Sequence, residues 1–543
     1  MVMRTFFLLL FLTTIYLQLA TFSHAQSIGN GDANADGKVD YTDIQFIMQN
    51  YAQQKGNLVD QNGDGMINMF DVKVVISSIT STQGLNVKDF GAKGDGVSND
   101  QDAFRNALTT LNARGGGKLF VPQGTYLFEN PQNNKPGVIS IYKMTNIEIY
   151  GEGMDKSILK LRPTTGKGDI FGILQSKNIT IRDLGLNGSL KSFLTDYQII
   201  HNQKWNGVYV LNSKDILIER VKLAEMITAG TYLLGDNGVE CPVGPCFTEN
   251  ITIKDSTILD NYRAGCANQG GIKGIKYINN YFLSNIGANQ DIDFEPTGTR
   301  PGAENVTIVD NKLLTNPGGY ALTLVGNGAL RPGKNWTVTG NTINRTVMIG
   351  RIDGLNFSDN TIISETGRAI SMLSESKNVT IANNRITSSQ GAEAIHLVGT
   401  GDSGVKFDNN TIFLGVPTMR AFWNEGILGN DYTIVNNKIV GPVGGTVPSQ
   451  NIIALGDSTK DGITRSGFVI SGNKFWRTPS TQVLIGTGDV NTKLQNVDIS
   501  NNVYYSDGGG NFAITFSPSN PSLFITNLTT SNNTVQPEIP APN

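Results

Sequence analysis

From about residue 140 onward one phrase keeps returning: a short β-branched strand, a turn bearing Asn, another short strand, then Gly and a third apolar pair. Asn250-Ile-Thr-Ile253, Asn305-Val-Thr-Ile-Val-Asp-Asn311, Asn378-Val-Thr-Ile-Ala-Asn-Asn384 and Asn496-Val-Asp-Ile-Ser-Asn-Asn502 are examples. The turn Asn falls at 280, 311, 341, 360, 384, 410, 437, 473, 502 and 533, a mean period of roughly 28 residues and so one solenoid coil per repeat. Leucine-rich repeats share that period, but their Leu-x-x-Leu-x-Leu frame is missing and Thr, Ile, Val and Asn dominate instead. A parallel β-helix satisfies the pattern: Ile, Val and Leu point inward, coils stack about 4.8 Å apart, and Asn takes the left-handed corner conformation. Stacked Asn amides are expected to bond from coil to coil. A solenoid must cover its open end. Residues 100–113 supply an amphipathic capping helix with Ala103, Phe104, Ala107, Leu108 and Leu111 on one side.

Composition narrows the function classes. Lys+Arg 43 nearly offsets Asp+Glu 46 for a net charge of -3, which leaves no electrostatic footprint for nucleic acid. Three Cys and three His are too few for a zinc framework, so any metal must use oxygen ligands. Residues 1–25 combine Arg4, an apolar run from Phe6 to about Ala20 and the tail Ser23-His24-Ala25, the pattern of a cleaved secretory signal. The run is shorter than the roughly 20 residues of a membrane span, so a secreted mature protein without a span is expected, extracellular or held at the cell surface. In that setting Cys241 and Cys246 can close a small disulfide loop while Cys266 stays buried.

Two calcium loops follow the signal. Asp32, Asn34, Asp36, Asp40 and Asp43 occupy loop positions 1, 3, 5, 9 and 12, with Gly37 at the sharp turn and the Lys38 carbonyl at position 7. The pattern recurs with Asp60, Asn62, Asp64, the Met66 carbonyl, Asn68 and Asp71. An amphipathic helix is readable after each loop, through Ile44, Ile47, Met48 and Tyr51 and through Val72, Val75, Ile76 and Ile79. Loop-then-helix duplicated, with Asp at position 12, resembles a type I dockerin over residues 28–80. That resemblance implies two Ca2+ ions on these ligands and a cohesin-bearing scaffold as partner. Tyr41-Thr42 and Met69-Phe70 depart from the small hydroxyl pairs of many dockerins, and a calcium-stapled spacer without a partner is the alternative. Residues 81–86 read as a linker, with the β-helix over 87–543.

The segment Val87-Lys-Asp-Phe-Gly-Ala-Lys-Gly-Asp-Gly-Val-Ser-Asn-Asp100, the helix, and Gly115-Gly-Gly-Lys-Leu-Phe-Val-Pro-Gln-Gly-Thr-Tyr126 together resemble the opening of the pectate-lyase-like superfamily of right-handed parallel β-helices. The resemblance implies action on a polysaccharide along one face of the coils, by hydrolysis, elimination or epimerisation. The chain lacks the polygalacturonase strand set apart from Asp291-Ile-Asp293 and Arg351-Ile352, and it lacks the Tyr, Asp and His grouping of alginate epimerases, since His201 has no neighbouring Asp-Pro.

One stretch breaks the repeat: Asn289-Gln-Asp291-Ile-Asp293-Phe-Glu295-Pro296. Burying Ile292 and Phe294 in a strand points Asp291, Asp293 and Glu295 outward in one row, where crowding raises a carboxyl pKa as a general acid requires. Carboxylates two residues apart stand about 6.5–7 Å from each other, within the range of inverting glycosidases. Aligning the coils on their Gly-apolar strands adds Tyr209, Tyr232 and Gln269 before this row and Thr323, Arg351, His396, Arg420, Trp423 and Glu425 after it, aromatic and bidentate groups suited to sugars. The leading expectation is glycosidic hydrolysis. Two readings stay open beside it: a calcium-dependent uronate lyase using Arg263 or Arg351, and a non-catalytic carbohydrate-binding or scaffold protein.

Overall fold

The computed structural model describes residues 32–35, 39, 41–49, 67–72, 84–129, 137–162, 168–193, 205–235, 246–286, 290–295, 300–314, 319–327, 331–398, 401–424, 429–443, 451–457, 462–478, 481–487, 490–506 and 512–542. The signal segment, residues 81–83 of the expected linker, Cys241, His201 and Glu425 lie outside them, as do Asp36, Lys38, Asp40, Asp60, Asn62, Asp64 and Met66. The chain divides into two compact units, residues 1–84 and 85–543.

In the first unit a helix spans Tyr41–Gln49. Ile47 is buried with Ala33, Ile67 and Val72, and Ile44 and Phe46 pack beside them. Met48, expected on that face, is exposed, and Phe46 on the other side of Ile47 packs in its stead. The loop is closed onto the helix by Asp43, whose buried Oδ1 accepts from the backbone N–H of Ala33 at 2.8 Å and of Asn34 at 3.1 Å. In the second loop Asp71 accepts from the Asn68 N–H at 2.7 Å.

The second unit is a parallel β-helix. Val, Ile and Leu at alternate positions form strands because every coil offers them an inward face: Ile251 and Ile253, then Ile275 and Tyr277, then Val306 and Ile308 lie one above another in the core. Fourteen parallel strands, from Ile139–Tyr142 to Ala513–Ser517, form one ladder. The other faces merge into a 30-stranded sheet that bends through the corners. The unit begins earlier than expected, since Leu85–Asn86 already pairs with Leu119 and Phe120. The helix Gln101–Ala113 covers the first coils with the five expected apolar residues, and Phe104 meets the rings of Tyr126 and Phe128 edge-on.

All ten turn Asn residues form one ladder, buried from Asn280 to Asn502. From Asn280 to Asn502 each donates its backbone N–H and its Nδ2 to the Oδ1 of the next coil's Asn, for example Asn384 to Asn410 at 2.9 Å for both, and the series ends on Asn533. The left-handed conformation falls one residue earlier than expected, on Asn279, Asp310, Gly340, Asp359, Asn383 and their equivalents. The exposed corner residue absorbs the positive φ, leaving the next side chain to turn inward and bond. Cys246 is disulfide-bonded and Cys266 is free and buried. No helix among the described residues is long and apolar enough to cross a membrane.

Candidate functional site

The strand Gln290–Glu295 lies in the 14-strand ladder between Ala264–Gln269 and Tyr320–Val325. Ile292 and Phe294 are buried in the core, which turns Asp293 and Glu295 to the outer face. Register carries Asp293 along a file of directly paired residues: Tyr209, Tyr232, Ala267, Asp293, Thr323, Met348, Ser371, His396 and Trp423. Gln269 belongs to the adjacent file, paired with Glu295. Because Ala267 is small, Tyr232 and Asp293 share one groove of about 430 Å³, lined also by Arg263, Gln269, Glu295, Tyr320 and Thr323.

Asp291 is not part of that row. It is 1% exposed and lines a small crevice with Asp260, Asn261, Gly265 and Ser284. At the start of the strand the chain is still rounding the corner, so Asp291 packs against the preceding coil, and its charge acts on the buried Arg345. The three-carboxylate row expected from strict alternation is therefore a pair.

Within the pair the two environments differ. Asp293 is 8% exposed and Glu295 faces solvent. Burial, with a smaller contribution from the Glu295 charge, pushes the Asp293 carboxyl up to about 7, while the Thr323 hydroxyl and Arg263 act in the opposite direction. Crowding, the cause expected from the sequence, is thus the lesser one. The Tyr232 phenol is also pushed up, by burial and then by Glu295. Tyr232 and Tyr209 stand ring to ring at 5.8 Å.

Behind the strand is a buried polar pair that the hydrophobic pattern did not single out. Tyr277 Oη donates to Asn268 Oδ1 at 2.7 Å, and Asn268 Nδ2 donates to the backbone carbonyl of Asp293 at 3.2 Å. The available signal was an inward-facing Tyr opposite an inward-facing Asn. Met348 and Leu373 also line the groove and carry no motif that would have flagged them.

His396 and Trp423 lie on the Asp293 file but four and five coils further on, about 19 and 24 Å away at the coil spacing. Their rings stack at 5.2 Å, Arg420 sits 5.3 Å from the Trp423 ring, and His396 Nδ1 is 3.9 Å from the buried Glu393, which also pairs with Arg368. Arg351 is outside the groove. It follows the strand Thr346–Gly350 with φ +56 and pairs with Glu375 at 3.3 Å; a left-handed residue just past the strand end leaves the alternation on which its placement relied. Among the described residues no group of three or more His, Cys, Asp or Glu is placed to hold a metal. In the first unit the described ligands Asp32, Asn34, Asp43, Asn68 and Asp71 offer oxygen donors, and the fully buried Asp43 and Asp71 carboxylates suit a hard cation.

Residues 30–80 match the dockerin type I domain family, and residues 84–313 match the family of rhamnogalacturonase A/epimerase, pectate lyase-like proteins. Mannuronan C5-epimerase AlgE2 of Azotobacter vinelandii is 30% identical over 253 residues, covering 45% of this chain and 22% of that protein. Alginate lyase 7 of the same organism is 30% identical over 193 residues, covering 33% and 20%. The chain therefore spans about a fifth of the length of these curated relatives. Among solved structures, pre-mature bacteriophage phi29 gene product 12 aligns over 87% of this chain and 75% of its own with TM-score 0.51 at 14% identity, a likeness of fold. Residues 30–80 are a type I dockerin domain and residues 84–313 a pectate-lyase-like domain within the parallel β-helix, similar in sequence to a mannuronan epimerase and an alginate lyase.

Proposed function

We propose that the β-helix hydrolyses glycosidic bonds of a polysaccharide lying along the 14-strand ladder, with Asp293 as general acid and Glu295 as general base. The carrying observation is that two carboxyl groups on one strand enter one groove in unlike environments, one buried with its carboxyl held up at about 7 and one facing water. Asp293 gives its proton to the glycosidic oxygen as the C–O bond breaks. Glu295 takes a proton from the water that attacks the anomeric carbon. Their spacing of roughly 6.5–7 Å along the strand leaves room for that water. Tyr232, Tyr209 and Gln269 offer aromatic and amide surface for neighbouring sugars, and His396 with Trp423 extends the same file. The dockerin unit holds two Ca2+ ions and attaches the secreted enzyme to a cohesin-bearing scaffold.

A second reading has its own support: Arg263 lines the groove beside Tyr232, and the relatives' names are those of an epimerase and a lyase. There the uronate carboxylate pairs with Arg263 and a base removes the C5 proton; either the C4–O4 bond breaks, leaving a C4=C5 double bond while O4 takes up a proton and departs as a hydroxyl, or a proton is returned to C5 on the other face.

The deciding experiment treats pectic, alginate, xylan and β-glucan polymers with the full chain and with Asp293→Asn, following reducing ends, ultraviolet absorbance and proton NMR. New reducing ends without unsaturation, lost in the variant, support hydrolysis. Unsaturated ends or altered C5 configuration replace it with the second reading. Affinity without any turnover makes the groove a recognition surface.

A further inference from the structure

The groove is chemically different on its two sides, and this sets what each side recognises. On the N-terminal side of Asp293 stand Tyr232, Arg263 and Gln269. On the C-terminal side the lining consists of Tyr320, Thr323, Val325, Met348 and Leu373, with no charged side chain among the described residues. Register makes this second half continuous. Thr323 pairs with Met348 and Val325 with Gly350, while Met348 pairs with Ser371.

Gly350 is part of the construction. A Cβ there would stand 2.6 Å from the Leu373 Cβ, so the missing side chain leaves the place that Leu373 fills. The result is an aliphatic recess of Val325, Met348 and Leu373, one to three coils beyond the carboxylate pair, or about 5–14 Å. A flat aromatic surface suits the C–H face of a pyranose. A recess lined by branched and thioether side chains suits a protruding methyl group, and a sugar hydroxyl pressed against it would lose its water without gaining a partner.

We propose that the Val325–Met348–Leu373 half of the groove is a subsite for a sugar carrying a methyl or acetyl substituent, so that the substrate is chemically unlike on the two sides of Asp293. The proposal rests on the groove being a polysaccharide site and names the substituent read at one end of it. It does not depend on which reaction follows.

The test uses the full chain carrying Asp293→Asn, so that binding is read without turnover, and titrates O-acetylated and de-O-acetylated alginate, glucuronoxylan and pectin by calorimetry. The expected result is about tenfold tighter binding of the acetylated form of at least one polymer, the scale of discrimination that an apolar pocket gives for a small apolar group. Adding Met348→Gln is expected to abolish that preference with the thermal midpoint unmoved. Equal affinity for both forms, a preference that survives Met348→Gln, or no affinity for any of the polymers overturns the proposal. If the unmodified chain cleaves a polymer while the variants show no preference, the subsite assignment alone fails and the acid–base reading stands.

Discussion

Asp293 and Glu295 stand two residues apart on one strand and share one groove, and the charge of Glu295 reinforces the effect of burial in holding the Asp293 carboxyl at about 7. One strand thereby supplies two carboxyl groups suited to opposite proton-transfer roles.

The pH dependence of turnover follows from that. Asp293 must be protonated to act as acid, so activity is expected to fall as pH rises through about 7. Thr323→Val removes a group that draws the Asp293 pKa down, so the alkaline limb is expected to move to higher pH. Asp293→Asn and Glu295→Gln are each expected to lower kcat by about a hundredfold or more, the usual scale of an acid–base contribution. Initial rates between pH 4 and 9 check all three, and an alkaline limb unmoved in Thr323→Val removes Asp293 as its source.

Calcium should control the first unit alone. Asp43 and Asp71 bury carboxylates at the twelfth loop positions, each accepting backbone N–H groups of its own loop, and a small unit built this way is expected to fold on its metal. Calorimetry with and without a chelator should show the dockerin transition lost and the β-helix transition unmoved. Asp43→Ala is expected to weaken calcium binding at the first loop and to lower the dockerin midpoint even in excess calcium.

The reach of the sequence can be seen residue by residue. The ten Asn positions of the ladder and the five buried positions of the capping helix were legible because both depend on short-range pattern: a period of one coil, and a helical stripe. The file containing Tyr209, Tyr232, Asp293, Thr323, His396 and Trp423 was legible for the same reason, since parallel register follows from aligning repeats. Asp291 and Arg351 were misplaced because they stand at strand ends, where corner geometry replaces alternation. Neither periodicity nor motif marks Met348 and Leu373. Leu373 enters the groove where Gly350 leaves room for it, and Met348 by pairing with Thr323 on the Asp293 file.

Stability of the β-helix should also depend on pH, in the direction set by three raised carboxyl groups. Burial pushes Asp169 and Asp293 up to about 7 and Asp402 up to about 6. Each binds its proton more tightly folded than unfolded, so the native state holds more protons between pH 4 and 7 and stability falls across that window as pH rises. The β-helix midpoint is therefore expected to be higher at pH 5 than at pH 8. Asp402 accepts from the Ser376 N–H at 2.6 Å and from the Tyr432 hydroxyl at 2.9 Å; Asn can keep both contacts with the Tyr432 hydroxyl rotated to accept. Asp402→Asn should shrink the difference between the two midpoints by the share that Asp402 carries. A midpoint that rises from pH 5 to pH 8 contradicts the assignment.

The Asn ladder should behave as a cooperative spine whose members matter unequally. Asn384 Oδ1 receives both the N–H and the Nδ2 of Asn360, and its own Nδ2 reaches Asn410 Oδ1 and the Phe357 carbonyl, all in the buried interior. Asn384→Ala leaves two donors of Asn360 without their acceptor, at roughly 1–3 kcal/mol for each buried group left unsatisfied, so a loss of about 3–5 kcal/mol is expected. Asn533 ends the series: its Oδ1 likewise receives both donors of Asn502 and its Nδ2 donates to the Ile499 carbonyl, but its side chain is half-buried and within reach of water. Water can replace it there, and Asn533→Ala is expected to cost about 1 kcal/mol or less. Urea unfolding of the two variants under identical conditions measures the difference. Equal losses at 384 and 533 mean that the ladder's contribution is local backbone preference at each turn rather than the bonding from coil to coil.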